Sequence, residues 1–217
     1  MNVFTIALSK GELGKSIEKY LLDSYGINVD IGSKPVLTQD YGNICFRIVN
    51  SRDAAKYLGR FWDFAITGYD NYWDESLYRT IEGIKNIKII SELGVDKGSI
   101  KVIGSQDTDI ESLKKYNWEK TIVAVSSYYE NIARWIMEME YRFRESNYEI
   151  LTVLGATEGY VSRGEADLAI DSVFSGNSVD RNNLKVVDDV IETESVLLST
   201  GRYSFKDFDA LMQGNQI

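Results

Sequence analysis

The chain has 217 residues, 44% hydrophobic and 26% charged, which predicts a globular protein with one large domain or two small lobes. It contains one cysteine, Cys45, and no histidine, which excludes an intrachain disulfide, a thiolate metal cluster and catalysis of the Ser-His-Asp or Cys-His type. The net charge of −9 argues against a general nucleic-acid binder. It leaves room for a phosphorylated small substrate, because distant surface charges are screened over about 8 Å in physiological salt.

The N-terminus predicts no export signal. It lacks a basic lead and reaches Lys10 and Glu12 too soon for a secretory leader. No stretch approaches the roughly 20 apolar residues that span a bilayer. We therefore expect a cytoplasmic protein with no membrane and no nucleic-acid partner.

Apolar runs of strand length recur along the chain, at residues 4–8, 44–49, 64–66, 100–103, 122–125, 150–154, 168–170 and 196–198. Several are unbroken rather than alternating, which is typical of strands covered on both faces. Helix-period segments lie between them, with apolar faces at Ile17, Tyr20, Leu21, Tyr25 and at Ile132, Trp135, Ile136, Met139. This alternation predicts an α/β fold with largely parallel strand pairing.

An internal echo predicts two related lobes. Residues 54–59 and 62–68 read as a helix, a glycine stop, an Asp and a short buried strand, and residues 159–164 and 166–171 repeat that order. The expected fold class is therefore α/β, two-lobed and periplasmic-binding-protein-like type II, with a cleft between the lobes. Lobe I is expected at residues 1–97 plus 192–217, and lobe II at residues 98–191.

A turn rich in small and hydroxyl residues follows the strand at residues 168–170. Its residues are Asp171, Ser172, Val173, Phe174, Ser175, Gly176, Asn177, Ser178 and Val179. Free backbone amides and the helix dipole make such a turn, before a helix, a site for a phosphate group. An ordinary Ser/Asn helix cap would have the same local sequence.

The turn closely resembles the phosphoribosyl-pyrophosphate loop of the ATP phosphoribosyltransferase family. The family pattern Asp-x-Val-x-Thr-Gly-x-Thr-Leu-x-x-Asn-Gly-Leu matches residues 171–184, with Ser175 and Ser178 in place of its threonines. Further fragments are similar in order and spacing: residues 7–11 to Ala-Leu-Pro-Lys-Gly, residues 63–70 to Asp-Leu-Gly-Ile-x-Gly-x-Asp, residues 92–94 to Asp-Leu-Gly and residues 131–134 to Asn-Ile-Ala-Arg. These fragments lie between residues 7 and 184, so the resemblance covers nearly the whole chain. The length matches the short form of the family.

The resemblance implies a pentosyltransferase of histidine biosynthesis. It implies transfer of the phosphoribosyl group from phosphoribosyl pyrophosphate to ATP, with release of pyrophosphate and use of Mg²⁺. It also implies a homo-oligomer and a separate regulatory subunit similar to a histidyl-tRNA synthetase. The metal ligands stay unknown at this point.

The resemblance also implies site residues. The loop at residues 171–179 would hold the donor, with Lys10, Glu158 and Asp171 as catalytic residues. Ser9, Lys10, Gly11, Thr67 and Gly68 would bind the acceptor. Each of the three catalytic candidates has a plainer reading: Lys10 as a surface lysine, and Glu158 and Asp171 as caps of their local structure.

Two departures from the family leave the acceptor open. Glu12 and Asn50 stand where the family has arginines, and Arg52 lies two residues beyond the second position. Fewer cations weaken the binding of a triphosphate, so a paralogue with another nitrogen-heterocycle acceptor is one alternative. A non-catalytic cytoplasmic small-anion sensor on the same frame is another.

Other conspicuous residues are expected to be structural. Asp63 and Asp167 precede their strands, so we expect them to lie away from the cleft. The aromatic residues at 69–73 and 128–129 are expected to pack rather than to stack on a base.

Overall fold

The computed structural model describes residues 3–32, 37–115, 120–173 and 177–214. The chain divides into two compact units, Met1–Lys97 with Glu194–Ile217, and Gly98–Thr193. We call them unit 1 and unit 2. The chain therefore passes from unit 1 to unit 2 after Lys97 and returns at Glu194.

Unit 1 holds a six-stranded sheet with the order β2-β3-β1-β4-β11-β5. Its strands are β1 (Phe4–Ser9), β2 (Thr38–Tyr41), β3 (Ile44–Val49), β4 (Phe64–Gly68), β5 (Lys88–Glu92) and β11 (Ser195–Ser199). Its helices are α1 (Glu12–Tyr25), α2 (Ser51–Lys56), α3 (Tyr69–Ile81) and α8 (Phe205–Met212). Strands β3, β1 and β4 run parallel to one another, whereas β2, β11 and β5 are each antiparallel to their neighbours.

The core of unit 1 forms where α1 and α8 pack on this sheet. Ile17 and Leu21 of the predicted helix face are fully buried in one cluster with Ile6 and Phe64. Burying side chains of this size removes apolar surface from water, which stabilises each of them by about 1.5–3 kcal/mol. Tyr20 and Tyr25 pack against the margin of the same cluster, so the face predicted from the 3.6-residue period is confirmed.

Unit 2 holds a five-stranded sheet with the order β10-β6-β9-β7-β8. Its strands are β6 (Gly98–Ser105), β7 (Thr121–Ser126), β8 (Tyr148–Val153), β9 (Leu168–Val173) and β10 (Leu184–Thr193). Its helices are α4 (Ile110–Lys115), α5 (Glu130–Trp135), α6 (Thr157–Ser162) and α7 (Asn177–Arg181), with a π-helical segment at Ile136–Glu140 and a 3₁₀ turn at Glu145–Asn147. Strands β8, β7 and β9 are parallel, and β6 and β10 are antiparallel to their neighbours.

The π-helical segment changes the helix face that the sequence predicts after α5. Ile132 and Ile136 are fully buried as expected, but Met139 is 52% exposed and Met137 is fully buried in its place. A π-helix closes i→i+5 hydrogen bonds, which adds a residue to the turn and rotates the following side chains. The face prediction is therefore correct up to Ile136 and wrong at Met139.

The strand pairing is mixed, so the expectation of largely parallel pairing is wrong for the outer strands. Each sheet contains three adjacent parallel strands. Antiparallel strands lie on both sides of them in unit 1, and on one side only in unit 2, where β8 is the edge of the sheet. The strand that follows each passage of the chain between the units is β6 in unit 2 and β11 in unit 1. Each of them pairs antiparallel with one of the three parallel strands of its sheet. Helices in the described parts of the chain are all too short or too polar to span a lipid bilayer.

Candidate functional site

The carboxyl ends of three parallel strands meet at one edge of the unit 1 sheet. The hydroxyl of Ser9, at the end of β1, donates to the carbonyl of Ile66 in β4 at 3.0 Å. The backbone N–H of Lys10 donates to the carbonyl of Val49 at the end of β3, at 2.9 Å. This edge therefore brings together all the residues predicted to bind the acceptor: Ser9, Lys10, Gly11, Thr67 and Gly68.

The start of α3 packs closely on Gly68. A Cβ built there would overlap Oδ1 of Asp70, so this carboxylate would have to shift. Asp70 is 5% exposed, and it lies in the first turn of α3. The Thr67 hydroxyl donates to the carbonyl of Ser51 at 2.9 Å, so it ties the end of β4 to α2. Asp70 is a site residue that the sequence analysis quoted in a motif but did not select.

Lys10 stands exposed where β1 turns into α1. Gly11 follows with φ 89° and ψ −146°, a conformation that favours glycine. Its carbonyl accepts from the N–H of Gly14 at 3.1 Å, which begins the helix. A Cβ at Gly14 would lie 2.7 Å from Cγ2 of Ile31, so this first turn packs closely on the chain beyond α1. The turn thus places one cation at the carboxyl edge.

Asn50 and Arg52 lie at the same edge, after β3. The Asn50 amide donates to the Asp53 carboxylate at 3.4 Å, and Asn50 precedes the first residue of α2. Arg52 is half-buried in the first turn of that helix. Arg52, two residues after Asn50, therefore lies at the same edge as the predicted acceptor residues.

In unit 2, one hydroxyl links two of the predicted catalytic residues. The Thr157 hydroxyl, fully buried at the start of α6, lies 2.9 Å from Oδ2 of Asp171 and 3.4 Å from Oε2 of Glu158. The other oxygen of Asp171 accepts from the N–H of Ser172 at 2.8 Å. Because the hydroxyl has one proton, it donates to the nearer carboxylate, that of Asp171, and Glu158 lies beside it near the carboxyl ends of β7, β8 and β9. Thr157 was missed from the sequence, although a hydroxyl residue directly before Glu158 at a helix start was the available signal.

A lysine also lies beside Asp171 in the sheet. Lys101 of β6 is the register partner of Asp171 in β9. Its ammonium forms an ion pair with Asp189 of β10 at 2.5 Å, and this hydrogen bond lowers the pKa of the Asp189 carboxyl. A cation is thereby fixed on the strand next to Asp171.

The predicted phosphate loop is divided between three structural contexts. Asp171, Ser172 and Val173 complete strand β9, and Phe174, Ser175 and Gly176 lie outside the described residues. Asn177, Ser178 and Val179 begin α7. Val173 and Val179 are buried in one cluster, 9% and 3% exposed, so the core of unit 2 anchors the chain on both sides of the segment.

The internal echo has a structural counterpart at the opposite, amino-terminal edge of each sheet. Oδ2 of Asp63 accepts from the N–H of Thr5 at 3.0 Å, and the N–H of Asp63 donates to the Thr5 carbonyl at 2.8 Å. Asp167 forms the same pair with Ile122, at 2.8 and 2.9 Å. Both aspartates therefore fasten the start of a neighbouring parallel strand, which is the structural role expected for them.

The conspicuous aromatic residues also pack as expected. The rings of Tyr69 and Tyr72 lie 5.7 Å apart against a buried cluster of unit 1. Tyr129 is 6% exposed within unit 2.

Comparison with known proteins identifies the family. The model of the ATP phosphoribosyltransferase family (HisG) matches residues 51–213. A relative, the ATP phosphoribosyltransferase of Clostridioides difficile (strain 630), is 25% identical over 210 residues, which cover 95% of this chain and 92% of the relative.

Solved structures show the same fold. A chain of the ATP phosphoribosyl transferase (HisG:HisZ) complex from Thermotoga maritima superposes with a TM-score of 0.69 and 16% identity, covering 91% of this chain and 88% of that chain. The periplasmic aliphatic sulphonate binding protein SsuA from Escherichia coli superposes with a TM-score of 0.56 and 13% identity, covering 99% of this chain and 70% of that chain. These likenesses confirm the predicted α/β, periplasmic-binding-protein-like type II fold. Because the family model spans three quarters of the sequence, the chain belongs to the ATP phosphoribosyltransferase family.

Proposed function

We propose that the protein transfers the phosphoribosyl group of phosphoribosyl pyrophosphate to ATP and releases pyrophosphate, the first step of histidine biosynthesis. The family match over residues 51–213 carries this proposal. That range contains Gly68 and Asp70 at the edge of unit 1 and Glu158 and Asp171 at the edge of unit 2.

The donor is assigned to unit 2. The loop at residues 171–179 would hold the 5-phosphate through backbone amides and the Ser175 and Ser178 hydroxyls, since such donors at a helix start favour an anion. Asp171 would accept hydrogen bonds from the ribose hydroxyls. The Thr157 hydroxyl, 2.9 Å from Asp171, would hold that carboxylate in one orientation. Glu158 would orient the ribose from the same turn.

The acceptor is assigned to the carboxyl edge of unit 1. Lys10 and Arg52 supply positive charge there for the phosphates of ATP, and the glycines at 11 and 68 leave the backbone open to a ligand. A ring nitrogen of the adenine attacks the anomeric carbon, the C–N bond forms, and the C–O bond to pyrophosphate breaks. This nitrogen needs no strong general base, so a chain without histidine is chemically adequate.

Mg²⁺ is the metal that fits the donor set. Mg²⁺ prefers oxygen ligands and is usually held by one or two carboxylates together with substrate phosphates. Asp171 and Glu158 are the carboxylates in place for this role. Among the described residues no group of three or more His, Cys, Asp or Glu side chains could hold a metal ion. When bound, Mg²⁺ would neutralise charge on the departing pyrophosphate.

The assembly is proposed from the solved relative. The Thermotoga maritima protein is a HisG:HisZ complex. We expect this chain to form a homo-oligomer that binds a HisZ-like, histidyl-tRNA-synthetase-like regulatory subunit, and to work in the cytoplasm.

Substitution of Gly176 tests the donor loop. Gly176→Trp places an indole in the proposed donor loop and should abolish binding of phosphoribosyl pyrophosphate in a calorimetric titration, with an unchanged circular dichroism spectrum. Gly32→Trp is the control, because it introduces the same side chain in unit 1, outside the proposed donor loop. Unchanged donor affinity in Gly176→Trp would move the donor site elsewhere.

A further inference from the structure

A second concave site lies at the amino-terminal edge of the unit 1 sheet. A cavity of about 400 Å³ opens between the α2–β4 connection and the β11–α8 connection. Its lining consists of Gly59, Arg60, Phe61, Trp62, Asp63, Thr200, Arg202 and Tyr203. The volume is within the range of small-molecule sites.

This cavity is separate from the proposed acceptor site of the same unit. Asp63 directly precedes β4, whereas Thr67 and Gly68 end that strand. Ser199, after which the second lining segment begins, pairs with Phe64, the first residue of β4. The five residues of β4 therefore separate the two sites by roughly 13 Å at the usual rise per residue of a strand.

The walls of the cavity are aromatic and fixed. The indole N–H of Trp62 donates to the carbonyl of Ala54 at 2.8 Å, so this ring is oriented by the protein itself. Phe61 is 57% exposed, and its ring centroid lies 6.0 Å from that of Trp62. On the other side the Tyr203 ring packs 5.3 Å from Phe64 of the core. The Phe61 ring is thus presented to solvent beside Trp62, with the two ring planes inclined by 55°.

Two guanidinium groups flank these rings. Arg60 lies 5.0 Å above the Phe61 ring and Arg202 lies 5.2 Å above the Tyr203 ring. Within the described ranges neither arginine forms an ion pair or a side-chain hydrogen bond. Stacking on an aromatic ring leaves the N–H groups of an arginine directed outward, in the fork that matches a phosphate. The side chain of Lys88 adds a third cation near the rim, because its Nζ lies 3.5 Å from the Cβ position of Gly201.

One carboxylate completes the lining. Asp63 uses Oδ2 to accept from the N–H of Thr5, and it is half-buried. A ligand in this cavity therefore meets two guanidiniums, the exposed Phe61 ring and one acceptor for a hydroxyl or amino group.

We propose that this cavity is a second, non-catalytic ligand site that binds a mononucleotide. The 5-phosphate bridges Arg60 and Arg202, the base stacks on the exposed Phe61 ring, and Asp63 accepts from a polar group of the nucleoside. An anion without a ring would use only the guanidiniums and would bind more weakly, because it lacks the base–aromatic stacking contact.

Calorimetric titration of the full chain with uridine 5-monophosphate tests this site. The double variant Arg60→Ala/Arg202→Ala should bind the nucleotide at least about 10-fold more weakly, since each charge-assisted hydrogen bond contributes about 1.5–3 kcal/mol. Arg144→Ala, which removes an exposed arginine of unit 2, should bind it like the unchanged protein. Inorganic phosphate should bind at least about 5-fold more weakly than the nucleotide.

The outcomes separate the alternatives. Unchanged nucleotide affinity in the double variant would overturn the site, and equal affinity for phosphate and nucleotide would overturn the mononucleotide assignment. Circular dichroism and pyrophosphate release are measured on each variant as checks of folding. Should the double variant fail to fold, Phe61→Leu keeps both charges and removes the stacking ring, and unchanged nucleotide affinity in that variant would likewise contradict the proposal.

Discussion

At the scale of single residues, the hydroxyl of Thr157 is the contact that organises the donor side. It is fully buried and donates to Asp171, in the last half of β9, while Glu158, in the first turn of α6, lies beside it. A buried hydroxyl that donates to a carboxylate fixes the rotamer of that carboxylate, which is what a group that must meet two ribose hydroxyls requires. The proposed role of Asp171 in binding the ribose hydroxyls therefore depends on the hydroxyl of Thr157.

Replacement of Thr157 tests this dependence. Thr157→Val keeps the shape and removes the donor, so the KM for phosphoribosyl pyrophosphate should rise about 10-fold, the value of one hydrogen bond to a charged group. Thr157→Ser should retain most of the affinity. Thr152→Val makes the same change at an exposed position of β8 and should leave the KM unchanged. A KM in Thr157→Val equal to that of Thr152→Val would remove Thr157 from the site.

On the acceptor side, Gly68 is the position at which a single substitution tests the proposed site. Gly68→Ala places a Cβ against Oδ1 of Asp70, so that carboxylate must shift. We expect the KM for ATP to rise at least about 10-fold while the affinity for the donor stays the same, since a misplacement of about 1 Å costs that much or more. Gly32→Ala is the control, because its Cβ meets nothing within 4 Å. A change in donor affinity of equal size would mean that Gly68 acts through overall stability.

The site residues were predictable to different degrees. Ser9, Lys10, Gly11, Thr67 and Gly68 follow strands that the sequence marks clearly, and parallel neighbours end at one edge. Asp70 and Thr157 were not selected, because their roles come from contacts with Gly68 and Asp171 that only the folded backbone creates.

At the scale of elements, α8 shows how the end of the chain is held on the unit 1 sheet. Its N-terminus carries a capping box, in which Ser204 and Asp207 exchange side-chain and backbone hydrogen bonds. Phe208 is fully buried and packs edge-on against Tyr25 of α1 and Phe64 of β4. The Phe208 ring therefore connects α8, the last helix of unit 1, with α1, the first.

Two phenylalanines of α8 give a matched pair for measuring this contact. Phe208→Ala should lower the free energy of unfolding by about 3–5 kcal/mol, because it leaves a cavity in the core. Phe205→Ala removes a ring that is 38% exposed on the same helix and should cost less than about 1.5 kcal/mol. Denaturant unfolding measures both. Equal losses would show that α8 is held by something other than the Phe208 contact.

Strands could be predicted from the sequence where they consist mainly of apolar residues. Eight strands overlap the apolar runs of the sequence, several of which are unbroken: β1, β3, β4, β6, β7, β8, β9 and β11. Strands β2, β5 and β10 were not predicted, since they lie at or next to sheet edges and carry polar residues such as Asp40, Glu92 and Asp188. Edge strands carry such charges because these residues discourage pairing with other chains, and this hides the strands from a hydrophobicity pattern. The π-helical segment at Ile136–Glu140 was likewise invisible to a 3.6-residue period.

At the scale of the whole molecule, the two units use one design twice. Each has three adjacent parallel strands, an aspartate that fastens the amino-terminal edge, and polar residues gathered at the carboxyl edge. Open α/β sheets bind ligands outside the carboxyl ends of their strands, so each unit offers one place for a substrate. A reaction between two phosphorylated substrates suits an arrangement with one such edge per unit.

The most direct test of the central claim is pyrophosphate release from phosphoribosyl pyrophosphate and Mg²⁺ with ATP as acceptor, with the product mass recorded. Each reaction is run with and without a histidyl-tRNA-synthetase-like subunit, and with other purines and pyridines in place of ATP. The account predicts pyrophosphate release with a product of the mass of phosphoribosyl-ATP. Release only with another heterocycle, or donor binding without release under any condition, would contradict it.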